Sequence, residues 1–158
     1  MKRCPVEEEL VLVSNRGPLS YSRNEDGELA AARGGGGLVT ALLGVASLCD
    51  VVWIASAMTE GDIEANDAAA GGRANVEYEG RNLGLRFIVT DPDTYNRFYN
   101  IIANPIIWFI QHYLWDLSVV PDIRPNEKAA WEDGYQVVNR QFAEAICDEL
   151  ERRRDENP

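Results

Sequence analysis

The sequence predicts an α/β fold with a parallel sheet and a surface hairpin. Residues 10–13 form a short apolar strand, and residues 51–55 form a continuous apolar run typical of a strand buried on both faces of a parallel sheet. Residues 125–154 carry apolar side chains at helical spacing with charges opposite, which indicates a helix that packs on the sheet. The 158 residues fit one domain.

Composition narrows the class of partner. The formal charge of −11 argues against a nucleic-acid or anionic-membrane surface, although a small anion in a local basic pocket is compatible with it. Three cysteines without a CxxC pair predict neither a disulfide framework nor a zinc site, and they resemble ordinary cytosolic thiols. No run approaches the roughly 18 apolar residues that span a bilayer, and the N-terminus lacks a signal-peptide core, so we expect a cytoplasmic protein.

The elements follow in order along the chain. Asp26-Gly27 predicts the turn of a hairpin that could cover a ligand like a flap. Residues 38–48 are apolar on nearly every side, which predicts a buried helix, whereas residues 57–72 predict a loop with one exposed helical turn. Two strands are expected at 76–78 and 83–90, with a helix from Thr94 that Pro105 ends or kinks.

The first strand and the glycine run together indicate a phosphate site. Arg16 follows the carboxyl end of the strand, where open α/β sheets bind ligands, and a guanidinium can hold a phosphate bidentately. Gly34-Gly35-Gly36-Gly37 opens a helix whose N–H groups and dipole favour an anion. The alternatives are a flexible hinge for the glycines and a surface turn for the arginine. Neither the GxGxxG nor the Walker pattern is present, and the second strand lacks the terminal acid of a dinucleotide site.

A polar and aromatic cluster further along the chain is typical of sugar recognition, although each member alone is more often part of a core. Its members are Tyr99, Asn100, Asn104, Trp108, His112 and Tyr113. His112 has neither metal partners nor a GxSxG serine, so we expect a buried structural histidine. The acids at 62–67 and 127–133 are expected to be solvated.

The motifs in order resemble the N-terminal portion of the trehalose-6-phosphate synthase family over almost the whole chain. They are Val13-Ser14-Asn15-Arg16, residues 33–42, Phe98-Tyr99-Asn100 with Trp108 and His112-Tyr113, and Trp131 with Tyr135 and Val138-Asn139. The resemblance implies a Rossmann-like N-terminal part of a GT-B glycosyltransferase, which is a three-layer sandwich with an incomplete parallel sheet. Such enzymes use no metal or cofactor, retain the anomeric configuration, and move glucose from a nucleotide sugar, UDP- or GDP-glucose, to glucose 6-phosphate.

The resemblance also implies residue roles. Arg16 would bind the phosphate of the acceptor, Tyr99 and Trp108 would line its sugar, and Gly36 and Gly37 would lie against the donor. No residue is assigned a catalytic role. Trp53-Ile54-Ala55-Ser56 and Trp108-Phe109 depart from the Trp-x-Gly-Trp and Trp-Pro of many family members, which leaves another sugar phosphate or a cyclitol relative open as the acceptor.

The family continues into a His-Asp-Tyr-His strand and a second, donor-binding domain, which are absent from these 158 residues. The sequence therefore predicts a partial acceptor-side domain, inactive alone, that self-associates or associates with the missing domain through an open sheet edge. Two other functions stay open: a non-catalytic sugar-phosphate-binding or regulatory module that partners a full-length synthase, and a nucleotide-binding oxidoreductase domain.

Overall fold

The computed structural model describes residues 9–69, 72–78, 80–112, 114 and 123–156. These residues fall into two compact units, Met1–Val89 and Thr90–Pro158. The elements of the first unit are β1 (Leu10–Ser14), β2 (Leu19–Arg23), β3 (Leu29–Arg33), α1 (Gly37–Ala46), β4 (Val51–Ser56), α2 (Glu60–Ala68), β5 (Ala74–Tyr78) and β6 (Arg81–Ile88).

A four-stranded sheet in the order β1-β4-β6-β5 organises the first unit. β1 and β6 both run parallel to β4, whereas β5 runs antiparallel to β6 at the edge. Every residue of β4 is buried, as its continuous apolar sequence predicts for a central strand. The strands β2 and β3 form the predicted hairpin as a separate antiparallel pair, and Gly27 takes a positive φ of 81° in its turn.

The helix α1 packs on the sheet with one face. Val39, Leu43 and Ala46 are buried in a cluster with Trp53 and Leu85, while Leu38 is exposed. The prediction of a helix buried on all sides is therefore wrong. Apolar composition alone does not specify which face of a helix meets the sheet.

The loop predicted after β4 is in fact the helix α2. Thr59 caps it: its side chain accepts a hydrogen bond from the Asp62 N–H at 3.0 Å, and the Asp62 carboxylate accepts one from the Thr59 N–H at 3.1 Å. This reciprocal capping box supports a helix whose Ala, Gly and acidic residues show no clear apolar period.

The second unit is helical. Its described elements are α3 (Pro92–Asn96), a first π-helical segment (Arg97–Ile107), α4 (Trp108–Gln111), α5 (Pro125–Ala130), a second π-helical segment (Trp131–Tyr135) and α6 (Gln136–Glu156). Asp91 caps α3 by accepting a hydrogen bond from the Thr94 N–H at 3.0 Å, so the helix begins at Pro92 and not at Thr94.

Pro105 does not end the first of these helices. It lies inside the first π-helical segment, which passes directly into α4. Proline lacks the N–H that an α-helical bond requires, and this segment has already left the α-helical hydrogen-bond pattern before it reaches Pro105. The predicted helix over 125–154 is confirmed as α5, the second π-helical segment and α6.

The cysteines differ from one another. Cys49 is disulfide-bonded and buried, so the expectation of ordinary thiols is wrong for this residue, whereas Cys147 is a free, exposed thiol. Cys4 lies outside the described residues. Among the described helices, none has the length and apolar character to cross a membrane.

Candidate phosphate-binding site

A cavity of about 100 Å³ lies in the first unit, at the carboxyl ends of three strands. Arg16 and Gly17 follow β1, Ser56 ends β4, and Phe87 lies near the end of β6. Leu19, Ser20, Gly34, Gly35, Met58 and Asp62 complete its lining. The volume is several times the ~10–15 Å³ that a cavity needs to hold one water molecule. A phosphate group fits such a space better than a nucleotide sugar does.

Two serines fix the loop that carries Arg16. The Ser14 hydroxyl donates to the Arg16 carbonyl oxygen at 2.7 Å and accepts from the Trp53 indole N–H at 2.8 Å. The Ser56 N–H donates to the Asn15 carbonyl at 3.1 Å, and its hydroxyl donates to the Asn15 side chain at 2.9 Å. The ends of β1 and β4 are therefore locked together, with the exposed Arg16 at the cavity.

The glycine run has two different structural roles. Gly34 approaches the loop after β1 so closely that an added Cβ would lie 2.2 Å from the Gly17 carbonyl oxygen, and its N–H donates to the Pro18 carbonyl at 2.7 Å. Gly34 and Gly35 line the cavity, whereas Gly36 and Gly37 do not belong to its lining. The simple-hinge alternative does not account for Gly34, because this contact excludes any side chain.

Gly36 and Gly37 begin α1. Gly36 is the N-cap with φ 122° and ψ 152°, a conformation that essentially only glycine adopts, and no side chain caps the helix. A Cβ at position 36 or 37 would meet nothing within 4 Å, so this backbone is open to an approaching group. The first N–H groups of a helix have no intrahelical acceptor, which makes this helix start suited to an anion.

Asp62 is a cavity residue that the sequence analysis assigned to a solvated face. It is only 1% exposed. One carboxylate oxygen accepts from the Tyr21 N–H at 2.7 Å, and the other accepts from the N–H groups of Met58 at 2.9 Å and Thr59 at 3.1 Å. Burial, together with the nearby Asp62 charge, raises the pKa of Tyr21 above 10.0. The Thr-x-x-Asp spacing of a capping box is the sequence signal that could have identified Asp62.

Tyr99 and Trp108 belong to the second unit and have different neighbours. Tyr99 is half-buried and stacks on Tyr95, with ring centroids 5.9 Å apart. Trp108 is 48% exposed and stacks on His112 at 4.2 Å. A half-exposed indole presents an apolar face and a polar N–H, which are the features a sugar ring requires.

His112 is exposed, so the prediction of a buried structural histidine is wrong. Its ring stacks on the indole of Trp108, and its Nδ1 atom lies 2.7 Å from the Trp108 carbonyl oxygen. Tyr113 lies outside the described residues. Among the residues that the structure describes, no group of three or more His, Cys, Asp or Glu side chains could hold a metal ion.

The geometry defines the broad class first. A mixed, mainly parallel sheet defines an α/β protein, and its cavity lies at the carboxyl edge, where open α/β sheets usually bind ligands. The sequence model of glycosyltransferase family 20 matches residues 8–156. The chain therefore belongs to glycosyltransferase family 20.

Named relatives agree with this assignment. The alpha,alpha-trehalose-phosphate synthase [UDP-forming] of Emericella nidulans is 32% identical over 92% of this chain and 26% of its own length. The trehalose-6-phosphate synthase of Mycobacterium ulcerans is 31% identical over 89% of this chain and 25% of its own length. A validamine 7-phosphate valienyltransferase of Streptomyces hygroscopicus is 28% identical over 87% of this chain. The chain spans about a quarter of the length of these relatives.

Solved structures support the fold. The trehalose-6-phosphate synthase OtsA matches with a TM-score of 0.54 and 23% identity, over 89% of this chain and 26% of that chain. An E. coli structure described as bound with UDP-2-fluoro glucose matches with a TM-score of 0.52 and 22% identity. The prediction of a Rossmann-like N-terminal part of a GT-B glycosyltransferase is confirmed at the level of the fold.

Proposed function

We propose that these residues form a partial acceptor-side domain, over 1–158, of a glycosyltransferase that moves glucose from UDP- or GDP-glucose to glucose 6-phosphate in trehalose biosynthesis. Arg16 binds the phosphate of the acceptor, Tyr99 and Trp108 contact its sugar, and the Gly36-Gly37 backbone contacts the nucleotide-sugar donor. The observation that carries the proposal is the Arg16 cavity at the carboxyl ends of β1 and β4.

The names of the relatives indicate which part of the substrate is common to them. Two are trehalose-phosphate synthases and one is a validamine 7-phosphate valienyltransferase, so a phosphate group recurs while the rest of the molecule differs. A cavity of about 100 Å³ suits this common group. Recognition of the variable ring then falls to other side chains, for which the half-exposed Trp108 is suited.

Three ligands separate these two tasks: inorganic phosphate, glucose 6-phosphate and glucose, with affinities measured by calorimetry on the purified chain. Arg16→Ala is expected to lower the affinities for inorganic phosphate and glucose 6-phosphate by about 10- to 100-fold, because a hydrogen bond to a charged group contributes about 1.5–3 kcal/mol. Arg140→Ala is the control, since it removes an equal charge from an exposed position on α6. Equal affinities for Arg16→Ala and the wild type would contradict the phosphate assignment.

A matched pair of tryptophans tests the sugar contact. Trp108 and Trp131 are 48% and 42% exposed, and each stacks on a neighbouring ring. Trp108→Ala is expected to lower the affinity for glucose 6-phosphate by about 5-fold, because one aromatic contact is lost. The affinity for inorganic phosphate should be unchanged. Trp131→Ala should leave both affinities unchanged. If the two variants behave alike, Trp108 has no specific role in binding the acceptor.

Turnover is a separate question from binding. The chain covers about a quarter of its relatives, so we expect it to bind its ligands without releasing UDP from UDP-glucose and glucose 6-phosphate. A coupled assay for UDP on the purified chain measures this directly. Sustained UDP release would show that these residues suffice for catalysis.

A further inference from the structure

The buried carboxylate of Asp62 joins α2 to the hairpin next to the cavity. Its oxygens accept backbone N–H bonds from Tyr21 in β2 and from Met58 and Thr59 before α2. The Ser20 hydroxyl also lies within 3.3 Å and 3.4 Å of the two oxygens. Oδ1 therefore has donors from β2 alone, whereas Oδ2 has donors from β2 and from the segment before α2, so the carboxylate as a whole bridges the junction.

The junction is tight in two further places. The Thr59 hydroxyl donates to the Tyr21 carbonyl oxygen at 2.6 Å. A Cβ added at Gly61 would lie 2.3 Å from that same oxygen, so the backbones of α2 and β2 are in direct contact. The hairpin is consequently fixed to α2 instead of being a free flap.

This junction continues into the cavity wall. Ser20 and Asp62 both line the cavity, and β2 follows the segment in which the Pro18 carbonyl accepts from the Gly34 N–H. A shift of β2 away from α2 would therefore move Ser20 and the paired Gly17 and Gly34 loops relative to Arg16. The position of the hairpin and the shape of the cavity are coupled.

A carboxylate beside a phosphate site would repel the ligand if its charge were exposed. In this cavity, three N–H groups and one hydroxyl surround the charge, and Asp62 lies in the first turn of α2, where the helix dipole stabilises an anion. A purely electrostatic role would make its removal favourable for phosphate. A geometric role would make its removal unfavourable, so the two roles predict opposite signs.

We infer that Asp62 is a positioning residue for the phosphate site, which holds Ser20 and the Gly17–Gly34 loop pair at the spacing that the phosphate of the acceptor requires. The inference rests on the proposed function of the Arg16 cavity. It adds to that function a specific residue outside the roles assigned to Arg16, Tyr99 and Trp108.

The test compares two aspartates of the same helix. Asp62→Asn and Asp67→Asn each remove one negative charge from α2, but Asp67 is exposed and does not line the cavity. We expect Asp62→Asn to lower the affinities for inorganic phosphate and glucose 6-phosphate by about 10-fold, since small misplacements of binding groups have effects of this size or larger. Asp67→Asn should change both by less than about 2-fold. Equal or tighter binding by Asp62→Asn overturns the inference.

The stability of each variant is also measured, because a variant that is less stable but still folded keeps its affinity for phosphate. The apparent Kd rises only by the inverse of the folded fraction, so a variant that circular dichroism shows to be fully folded cannot lose 10-fold through instability alone. If Asp62→Asn does not fold, two variants of Thr59 test the same junction. Thr59→Val loses the hydroxyl bond to the Tyr21 carbonyl oxygen and should bind phosphate more weakly, whereas Thr59→Ser keeps a hydroxyl and should bind phosphate as the wild type does. Equal affinities of the two variants for phosphate overturn the inference.

The wild-type chain separates the two proposals. If it binds neither inorganic phosphate nor glucose 6-phosphate, the proposed function fails and the role of Asp62 falls with it. In another outcome, the wild type binds these ligands, Arg16→Ala loses that binding and Asp62→Asn keeps it. That outcome overturns only the positioning role of Asp62.

Discussion

The two units use different material for their candidate contacts. In the first unit, strand ends, a helix start and glycine backbones form the cavity, and its exposed cation is Arg16. In the second unit, the candidate contacts are the aromatic side chains of Tyr99, which is half-buried, and Trp108, which is half-exposed, and each stacks on a neighbouring ring. Backbone N–H groups suit a phosphate, which is alike in every phosphorylated acceptor. Aromatic side chains suit a ring, which differs among acceptors.

This difference teaches where each unit tolerates change. A backbone site depends on close approach, so an added methyl group is damaging where two chain segments touch. A side-chain surface depends on which residue is present, so its replacement changes recognition while the fold persists. Substitutions of glycine test the first statement in both units.

The largest effect is expected for Gly34→Ala. Its Cβ would lie 2.2 Å from the Gly17 carbonyl oxygen, so the two loops must separate. We expect the free energy of unfolding, from urea denaturation, to fall by about 3 kcal/mol, the upper part of the range for overpacking. The affinity for inorganic phosphate should fall by at least about 10-fold, or ~1.4 kcal/mol.

Gly35→Ala is the stability control for this prediction. A Cβ at this position meets nothing within 4 Å. The free energy of unfolding should therefore change by less than about 0.5 kcal/mol. Similar stabilities for the two variants would show that the Gly17–Gly34 contact does not matter, and the contrast between the units would lose its basis.

A smaller effect is expected for Gly134→Ala in the second unit. Its Cβ would lie 2.5 Å from the Arg97 Cβ and 2.7 Å from the Phe98 nitrogen, where the two π-helical segments touch. The free energy of unfolding should fall by about 1–2 kcal/mol, since overpacking outweighs the helix propensity gained. Inorganic phosphate binding should be unchanged, because none of the described residues of this unit lines the cavity.

Gly44→Ala in α1 is the matched helical control with the opposite sign. A Cβ there meets nothing within 4 Å, and the position is exposed. Alanine should stabilise the chain by about 0.5–1 kcal/mol through helix propensity alone. A loss of stability in Gly44→Ala, or none in Gly134→Ala, would contradict this account of close packing.

The smallest effect concerns pH and the start of α3. Hydrogen bonds with the Thr94 side chain and backbone lower the pKa of Asp91 below its ordinary value of 3.8. The unfolded chain therefore takes up this proton first, so the contribution of the cap is present above 3.8 and is lost as the pH falls through the lowered pKa.

Thermal unfolding at about pH 6 and about pH 3 measures this contribution. Asp91→Asn keeps a good N-cap without a titrating group, so its melting temperature should fall less on acidification than that of the wild type. Asp26→Asn, at the exposed hairpin turn, should follow the wild type. An equal fall in the wild type and in Asp91→Asn would remove the role of Asp91 in acid sensitivity.

Several elements could be predicted because their signal is local. The Asp-Gly turn, the apolar run of β4 and the period of the last helix each depend on residues close in sequence. The start of α2 was missed because a capping box, and not an apolar period, specifies it. Asp62 was missed with it, since its partners in β2 are about 40 residues away along the chain.

The sequence by itself determined the family and most of the strands, and it predicted a phosphate site at Arg16 and the glycine run, since these follow from residue type and spacing. Only the tertiary structure decided how the glycines divide their work, with Gly34 in contact with Gly17 and Gly36 at the helix start. It also decided that Asp62 is buried and that His112 is exposed. Burial and close approach depend on which distant segments meet, and no local pattern encodes that.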